Sequence, residues 1–510
     1  MCGIAAIIAP WIADETPRAV AHRDAQLVDM LERIRHRGDQ ECFAERVSEA
    51  GVSLGTNRLA IVDRDHGRQP QSDVDGFVEV VFNGELYEHH LLRDELEGLG
   101  RKFRTGSDTE VLIHAYLEWG ESFVGRLDGM YAFVLYDRRT RTFLAARDHI
   151  GVKPLYHAVR DAVHYFASEQ KCLLGKADHV DEIPPGTYTV DGGEPVRHFD
   201  LGTEPPGGSD RDAVARYRDL FDAAVRKQTD SDLPIAVLFS GGIDSAAVLE
   251  AARRFHPAVT AFTVGYEGAA DIEVAKRYCA EMGIPHVVEY LDHIAVADAI
   301  PEVIRGGELF EAIDVMDSCV AYFAYRAVRE HGFKIALCGE GSDEVLAGYA
   351  LFKTHPDPAE LMSYRVRNLY RTDLQRVDRM SMLHSVETRV PFMDRFVLEF
   401  GYRLPMSLKL RDGVEKWVLR EACRDRLPAY ITDRTKSRMS DGSGLTDAVM
   451  ERARRAAVAD RGPAHDLGID TAGGVYFLSE YVKAGFPAPR ERYKRAGFDY
   501  PHEDYFEFTP

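Results

Sequence analysis

No two cysteines of this 510-residue chain stand in a Cys-x-x-Cys spacing. The seven present, Cys2, Cys42, Cys172, Cys279, Cys319, Cys338 and Cys423, are odd in number and scattered. Neither a disulfide framework nor a zinc site is expected from them, and the usage fits a reducing, cytoplasmic setting. Long apolar runs are missing too: none approaches the roughly 18 residues of a membrane span. No basic-then-apolar leader follows Met1, so secretion is not expected. Basic residues are in short supply, 63 Lys and Arg against 83 Asp and Glu, for a formal charge of -20. That balance argues against sequence-independent binding to nucleic acid, which needs a cationic surplus. An acidic substrate would have to be met by local cations. Internal repeats and low-complexity tracts are also absent.

What is present is a chain of two characters. Up to about residue 200, short β-rich runs alternate with turn residues. Phe77–Phe82 runs into Asn83-Gly84, which reads as a turn, and Tyr131–Tyr136 and Thr142–Ala146 are further hairpin candidates. Helical patterns interrupt them near residues 21–35, 89–98 and 108–119, which predicts a layered, antiparallel α+β domain over 2–200. The stretch 201–211, rich in Pro, Gly and Ser, reads as a linker. From 212 to 510, buried-strand candidates at 234–239, 260–264 and 334–338 alternate with helix-length segments. This predicts a parallel sheet whose ligand crevice lies at the strands' carboxyl ends. The last 30 or so residues, aromatic and charged, read as a tail packed on this second domain.

Two local signals carry chemistry. The chain opens Met1-Cys2-Gly3-Ile4. Removal of Met1 would leave Cys2 with a free α-amino group beside its own thiol. A thiolate is the nucleophile of acyl transfer, and an α-amino group titrating near ~8 can serve as its base. The second signal is Ser240-Gly241-Gly242-Ile243-Asp244-Ser245, between the strand that ends near Leu238 and a helix. Backbone N–H groups of such a turn, with a helix N-terminus behind them, form an anion cradle. Ser240 and Ser245 add donors and Asp244 can hold Mg²⁺ on a bound phosphate. The lysine of a Walker loop is lacking, so a γ-phosphate grip is not implied.

Ser240–Ser245 resembles the pyrophosphate loop of the ATP pyrophosphatases. Gly339-Glu340-Gly341-Ser342-Asp343-Glu344, Asp378-Arg379-Met380-Ser381-Met382, Val386-Glu387-Thr388-Arg389-Val390-Pro391-Phe392, Glu415-Lys416 and Lys436–Gly442 extend the likeness to the synthetase domain of glutamine-dependent asparagine synthetase. Upstream, Arg35-His36-Arg37-Gly38, Asn57–Asp63, Gln69-Pro70, Asn83-Gly84-Glu85-Leu86-Tyr87, Thr105-Gly106-Ser107-Asp108, Arg147-Asp148 and Phe166-Ala167-Ser168-Glu169 resemble the class II glutamine amidotransferase domain. The resemblance implies an αββα N-terminal-nucleophile hydrolase sandwich followed by an α/β domain of the adenine nucleotide α-hydrolase type. It implies Cys2 as nucleophile toward glutamine, with Asn83 and Gly84 as oxyanion donors. Arg58 would hold the α-carboxylate of glutamine, and Glu85 and Asp108 its α-ammonium. For the second domain it implies ATP over Leu238, Ser240, Gly241, Gly242, Asp244, Ser245, Val264 and Gly339, with Mg²⁺ on Asp244 and Asp343. Lys436 would act from a closing lid, and Glu340 would deprotonate the incoming amine. It also implies an ammonia channel and a homodimer.

The likeness fails at the acceptor. Asparagine synthetases carry a Thr-Thr-x-Arg stretch after the Asp-Val that corresponds to Asp314-Val315; here the residues are Met316-Asp317-Ser318-Cys319. Losing a cation and gaining an anion is the wrong change for a dicarboxylate. Met316, Asp317, Cys319 and Glu387 are therefore the candidate acceptor residues. Glu387 can equally be a buried ion-pair partner of Arg389 or Arg379. The expected activity is glutamine-dependent, AMP-forming amidation of a carboxylate. The acceptor is aspartate or, preferred on this departure, another acid. Transfer of another amine, such as hydroxylamine from a glutamine analogue, and a silent glutamine- or ATP-binding regulator are the alternatives.

Overall fold

The alternation of apolar side chains along the first strand sets up a layered unit. In chain order this unit contains β1 (Cys2–Ile8), α1 (Pro17–Arg33), β2 (Glu45–Glu49), β3 (Val52–Arg58), β4 (Gln71–Ser72), β5 (Val78–Leu86), α2 (His89–Gly98), α3 (Asp108–Trp119), β6 (Gly129–Asp137), β7 (Thr142–Arg147), β8 (Tyr156–Arg160), β9 (Val163–Ala167), β10 (Asp181–Glu182), β11 (Thr187–Val190) and β12 (Val196–Arg197). Cys2, Ile4, Ala6 and Ile8 of β1 point to one side, into a layer shared with Val81, Ala132 and Val134. Ala5 and Ile7 point to the other, onto Leu27, Met30 and Leu31 of α1. Period-two side-chain placement makes a strand buried on both faces possible only with a layer on each side. Two six-stranded antiparallel sheets result, ordered β10-β8-β9-β1-β3-β2 and β12-β11-β7-β6-β5-β4. Val78, Val80 and Phe82 of β5 close the second sheet against Val111, Leu112 and Ala115 of α3. The architecture is the expected αββα sandwich.

This computed structural model describes residues 2–12, 15–39, 45–177, 179–435, 443, 445–456, 462–469 and 471–488. The chain divides into two compact units, Met1–Gly202 and Thr203–Pro510. Lys436 and the aromatic tail from residue 489 lie outside the described residues.

One expectation is corrected in the first unit. Asn83-Gly84 is not a turn: β5 continues through both to Leu86 and pairs with β6, Asn83 opposite Ala132 and Gly84 opposite Tyr131. Gly84 is required for another reason. A Cβ there would collide with the backbone carbonyl of Met130 on β6, so glycine marks close approach of two strands rather than a reversal.

The second unit contains α4 (Asp210–Gln228), β13 (Ile235–Leu238), α5 (Ile243–Phe255), β14 (Val259–Gly265), α6 (Ala270–Met282), β15 (His286–Tyr290), α7 (His293–Gly307), α8 (Ala312–Glu330), β16 (Ile335–Leu337), α9 (Ser342–Val345), α10 (Pro358–Asn368), α11 (Asp373–Leu383) and β17 (Glu387–Arg389), followed by further helices and a short hairpin. Ser209 and Asp212 form a reciprocal capping box at the start of α4, so the end of the expected linker is already helical. The strands form a parallel sheet ordered β15-β14-β13-β16-β17. Successive strands are added on one side of β13 and then on the other. The turns after β13 and β16 consequently diverge and leave a crevice at their carboxyl ends.

Candidate functional site

In the first unit, β1 and β5 face each other across the inter-sheet layer. Odd-numbered positions of β5 project into that layer, as Val81 does, and the same parity carries Asn83 and Glu85 toward the start of β1. The Cys2 N–H donates to Asn83 Oδ1 over 3.1 Å. The other half of that amide, Nδ2, is buried and makes no hydrogen bond. Gln69 Nε2 donates to Cys2 Sγ over 3.8 Å, and its Oε1 accepts from Phe82 N at 2.8 Å. Behind Cys2, Arg37 Nε donates to the Cys2 carbonyl over 3.3 Å, and Nη1 pairs with Glu169 at 2.7 Å. His36 and Lys171 also converge on Glu169. Burial alone would raise that carboxyl; the charges of Lys171, His36 and Arg37 outweigh it and hold it well below its usual range.

The three remaining candidates of this unit lie on neighbouring elements. Glu85 and Asp108 are both buried, and Asp108 Oδ2 accepts from Leu86 N at 3.1 Å, which ties the start of α3 to the end of β5. Arg58 is paired opposite Cys2 in the β1–β3 register. Its guanidinium donates to the carbonyls of Val62, Asp63 and Arg64 and shapes the turn after β3.

In the second unit one cavity occupies the crevice. Leu238, Ser240, Asp244, Ser245, Val264 and Gly339 line one part of it. Gly241 adopts φ +74, and a Cβ there would press on Val274. Ser240 N donates to Ser245 Oγ at 3.2 Å, which holds the turn tight. Gly339 also has to be glycine, because a Cβ would press into the Asp244 backbone. Asp244 Oδ2 and Asp343 Oδ1 lie 2.5 and 2.6 Å from Lys416 Nζ. A pair of carboxylates beside a glycine turn is a donor set that would suit Mg²⁺, an ion that keeps waters and phosphate oxygens as its other ligands. Among the described residues no group of three or more His, Cys, Asp or Glu converges as a metal cluster.

The far part of the cavity is lined by Asp314, Asp317, Val320, Ala321, Ala324, Glu340, Asp373 and Arg376. Arg376 is buried and bonds Asp373 at 2.6 Å and Glu340 at 3.2 Å, with Asp314 at 3.9 Å. Burial would lower its pKa, but Glu340, Asp373, Asp317 and Asp314 raise it further. Nearby, burial together with Asp373 and Asp343 pushes the Glu344 carboxyl well up, and the Tyr349 hydroxyl donates to it.

Three of the four acceptor candidates are not at this cavity. Met316 and Cys319 are fully buried on α8 but do not line it. At about 100° per residue, the face formed by Asp314, Asp317, Ala321 and Ala324 turns both of them into the core. Glu387 sits inside β17 and pairs with Arg389 at 2.7 Å, the structural alternative. Only Asp317 of the set reaches the cavity. Lys416 and Arg376, which organise its two parts, were not singled out from sequence. Lys416 stands in the Glu415-Lys416 motif, but nothing local tells that it meets Asp244, 172 positions away.

Residues 1–187 match the family described as glutamine amidotransferase domain, and residues 216–361 and 353–498 match asparagine synthase. Asparagine synthetase [glutamine-hydrolyzing] 2 of Arabidopsis thaliana is 33% identical over 489 residues, 89% of this chain and 82% of that protein. The chain belongs to the glutamine-hydrolysing asparagine synthetase family. A probable asparagine synthetase of Dictyostelium discoideum is 31% identical over 495 residues, 89% of this chain and 87% of its own length. A solved glutamine phosphoribosylpyrophosphate amidotransferase from B. subtilis shares 17% identity at TM-score 0.33, over 56% of this chain and 65% of that one. As an asparagine-synthetase-like protein, the chain is a glutamine-dependent amidotransferase and a carbon–nitrogen ligase. Among the described residues no helix is long and apolar enough to cross a membrane.

Proposed function

We propose that the first unit releases ammonia from glutamine at Cys2 and that the second adenylates a carboxylate with ATP and couples it to that ammonia. The Cys2 thiolate attacks the amide carbon, the C–N bond breaks, ammonia leaves, and water cleaves the thioester to glutamate. The α-amino group exposed by loss of Met1 is the base. Asn83 Nδ2 and the Gly84 N–H stabilise the oxyanion, and the unpartnered Asn83 Nδ2 beside Cys2 supports that role. Arg58 holds the glutamine carboxylate, and Glu85 and Asp108 its ammonium.

In the second unit the acceptor carboxylate attacks the α-phosphorus of ATP, pyrophosphate leaves, and ammonia displaces AMP from the acyl-adenylate. Ser240, Gly241, Gly242 and Ser245 cradle the phosphates, and Leu238, Val264 and Gly339 flank the nucleoside. Asp244 and Asp343 would hold Mg²⁺, which would supply neutralisation of phosphate charge, and Lys436 serves the leaving pyrophosphate. Glu340 takes the proton from the attacking nitrogen. The observation that carries this reading is that one cavity joins the Ser240–Ser245 turn to Glu340 and Arg376, so nucleotide and acceptor meet.

The acceptor is a carboxylate with a cationic or less polar body in preference to aspartate. Asp314, Asp317 and Glu340 crowd Arg376, and Val320, Ala321 and Ala324 form an apolar wall; a second carboxylate would meet like charge there. The test is AMP release with ATP, Mg²⁺, glutamine and a panel of aspartate, amino-monocarboxylates and neutral monocarboxylates. An amino- or neutral monocarboxylate giving AMP at least about ten times faster than aspartate is expected (about 1.4 kcal/mol). Aspartate as the best acceptor, yielding asparagine, contradicts the acceptor reading and leaves the rest standing.

A further inference from the structure

We propose that Lys416 is a resident cation that occupies the place of the divalent metal ion between Asp244 and Asp343 and yields it only to a metal–nucleotide complex. The inference rests on the reading of those two aspartates as ligands of the metal that accompanies ATP.

Three separate segments converge to put the ammonium there. Asp244 lies in the first turn of α5, Asp343 in α9, and Lys416 caps the helix Trp417–Cys423. The lysine side chain is 0% exposed, and its Nζ lies within 2.6 Å of both carboxylates. Its backbone is held at φ 55, a conformation of some cost for a residue with a side chain. Two hydrogen bonds keep it there: Lys416 N donates to Leu346 O, and Arg420 N donates to Lys416 O. Space for the stem is provided as well. A Cβ on Gly348 would collide with both the Asp343 carboxylate and Lys416 Cε.

Two buried carboxylates facing each other need a cation between them. A lysine supplies it as a compact charge on a flexible stem, able to change partners by side-chain rotation alone. A divalent ion on the same two oxygens would lie against that ammonium. Free metal must therefore displace the lysine and leave it buried without a partner, which is costly. A metal–polyphosphate complex brings the ammonium new anionic partners as it takes the old ones. Metal and nucleotide binding are thereby coupled, each strengthening the other.

The test uses Mn²⁺ as probe, with free Mn²⁺ read by electron paramagnetic resonance on the full-length protein, with and without a non-hydrolysable ATP analogue. Wild type is expected to bind Mn²⁺ at least about ten-fold more weakly without the analogue than with it. Lys416→Met is expected to bind Mn²⁺ without nucleotide at least ten-fold more tightly than wild type. If the analogue brings Mn²⁺ to wild type but Lys416→Met shows no gain in its absence, the placeholder role alone is overturned. If nucleotide brings Mn²⁺ to neither protein, the ATP-site reading fails and the proposal with it. Should the variant not fold, as judged by circular dichroism, wild type decides: equal Mn²⁺ affinity with and without nucleotide overturns the proposal, and nucleotide-dependent affinity supports it.

Discussion

In the proposed glutamine chemistry, Asn83 carries the sharpest test. Its Oδ1 is used by the Cys2 backbone, and its Nδ2 has no partner. Such a donor, fixed before the reaction begins, acts on charge that develops only in the transition state. Asn83→Ala is expected to lower kcat for glutamine hydrolysis by about 100-fold or more with little change in KM; steady-state glutamate release measures it, and a loss confined to KM would contradict the role. Its neighbour Gly84 sets the local backbone. Asn-Gly is a strong reversal signal, yet here the pair continues a strand because Gly84 permits close approach to Met130. Met316 and Cys319 show the converse limit. Position along the chain marks them as candidates, whereas helical rotation decides which residues of α8 reach the cavity, and of the candidates it selects Asp317. Lys416 and Arg376 were beyond local reading because their partners come from distant segments.

At the scale of elements, α3 is presented to the site by a device that titrates. Ser107 caps its first turn, accepting from Thr109 N, and Glu110 ties down the turn before it, accepting from the backbone N–H groups of Arg104 and Thr105 and from Thr105 Oγ1. Burial would raise the Glu110 carboxyl, but the bonds from His114, Thr105 and the two N–H groups prevail and hold it down to about 2. A carboxyl depressed on folding stabilises the fold above its unfolded value of ~4.3, and that contribution is lost as pH falls from there toward about 2. Glu110→Gln is therefore expected to lower the urea midpoint at pH 7 and to narrow its gap from wild type toward pH 3. A gap that stays constant with pH would contradict this. The elements themselves were largely legible, because apolar period and strand length are local properties. The residues 89–98 and 108–119 read as helical match α2 and α3. Boundaries were less so: α4 starts inside the expected linker because Ser209 and Asp212 cap each other.

At the scale of the molecule, two units of different architecture each bring their own chemistry, and the family joins them in one chain. The formal charge of -20 does not help either unit attract anionic substrates, so the proposed function relies on placed cations, Arg58 in the first unit and Lys416 in the second. If Cys2 feeds nitrogen to a carboxylate activated elsewhere in the chain, Cys2→Ala separates the two steps. AMP and amide formation by this variant is measured with the acceptor and ATP saturating and either glutamine or ammonium chloride as nitrogen source. No amide product is expected with glutamine, and near wild-type AMP and amide with ammonia. Amide formation from glutamine by the variant, or none from ammonia, would contradict that transfer.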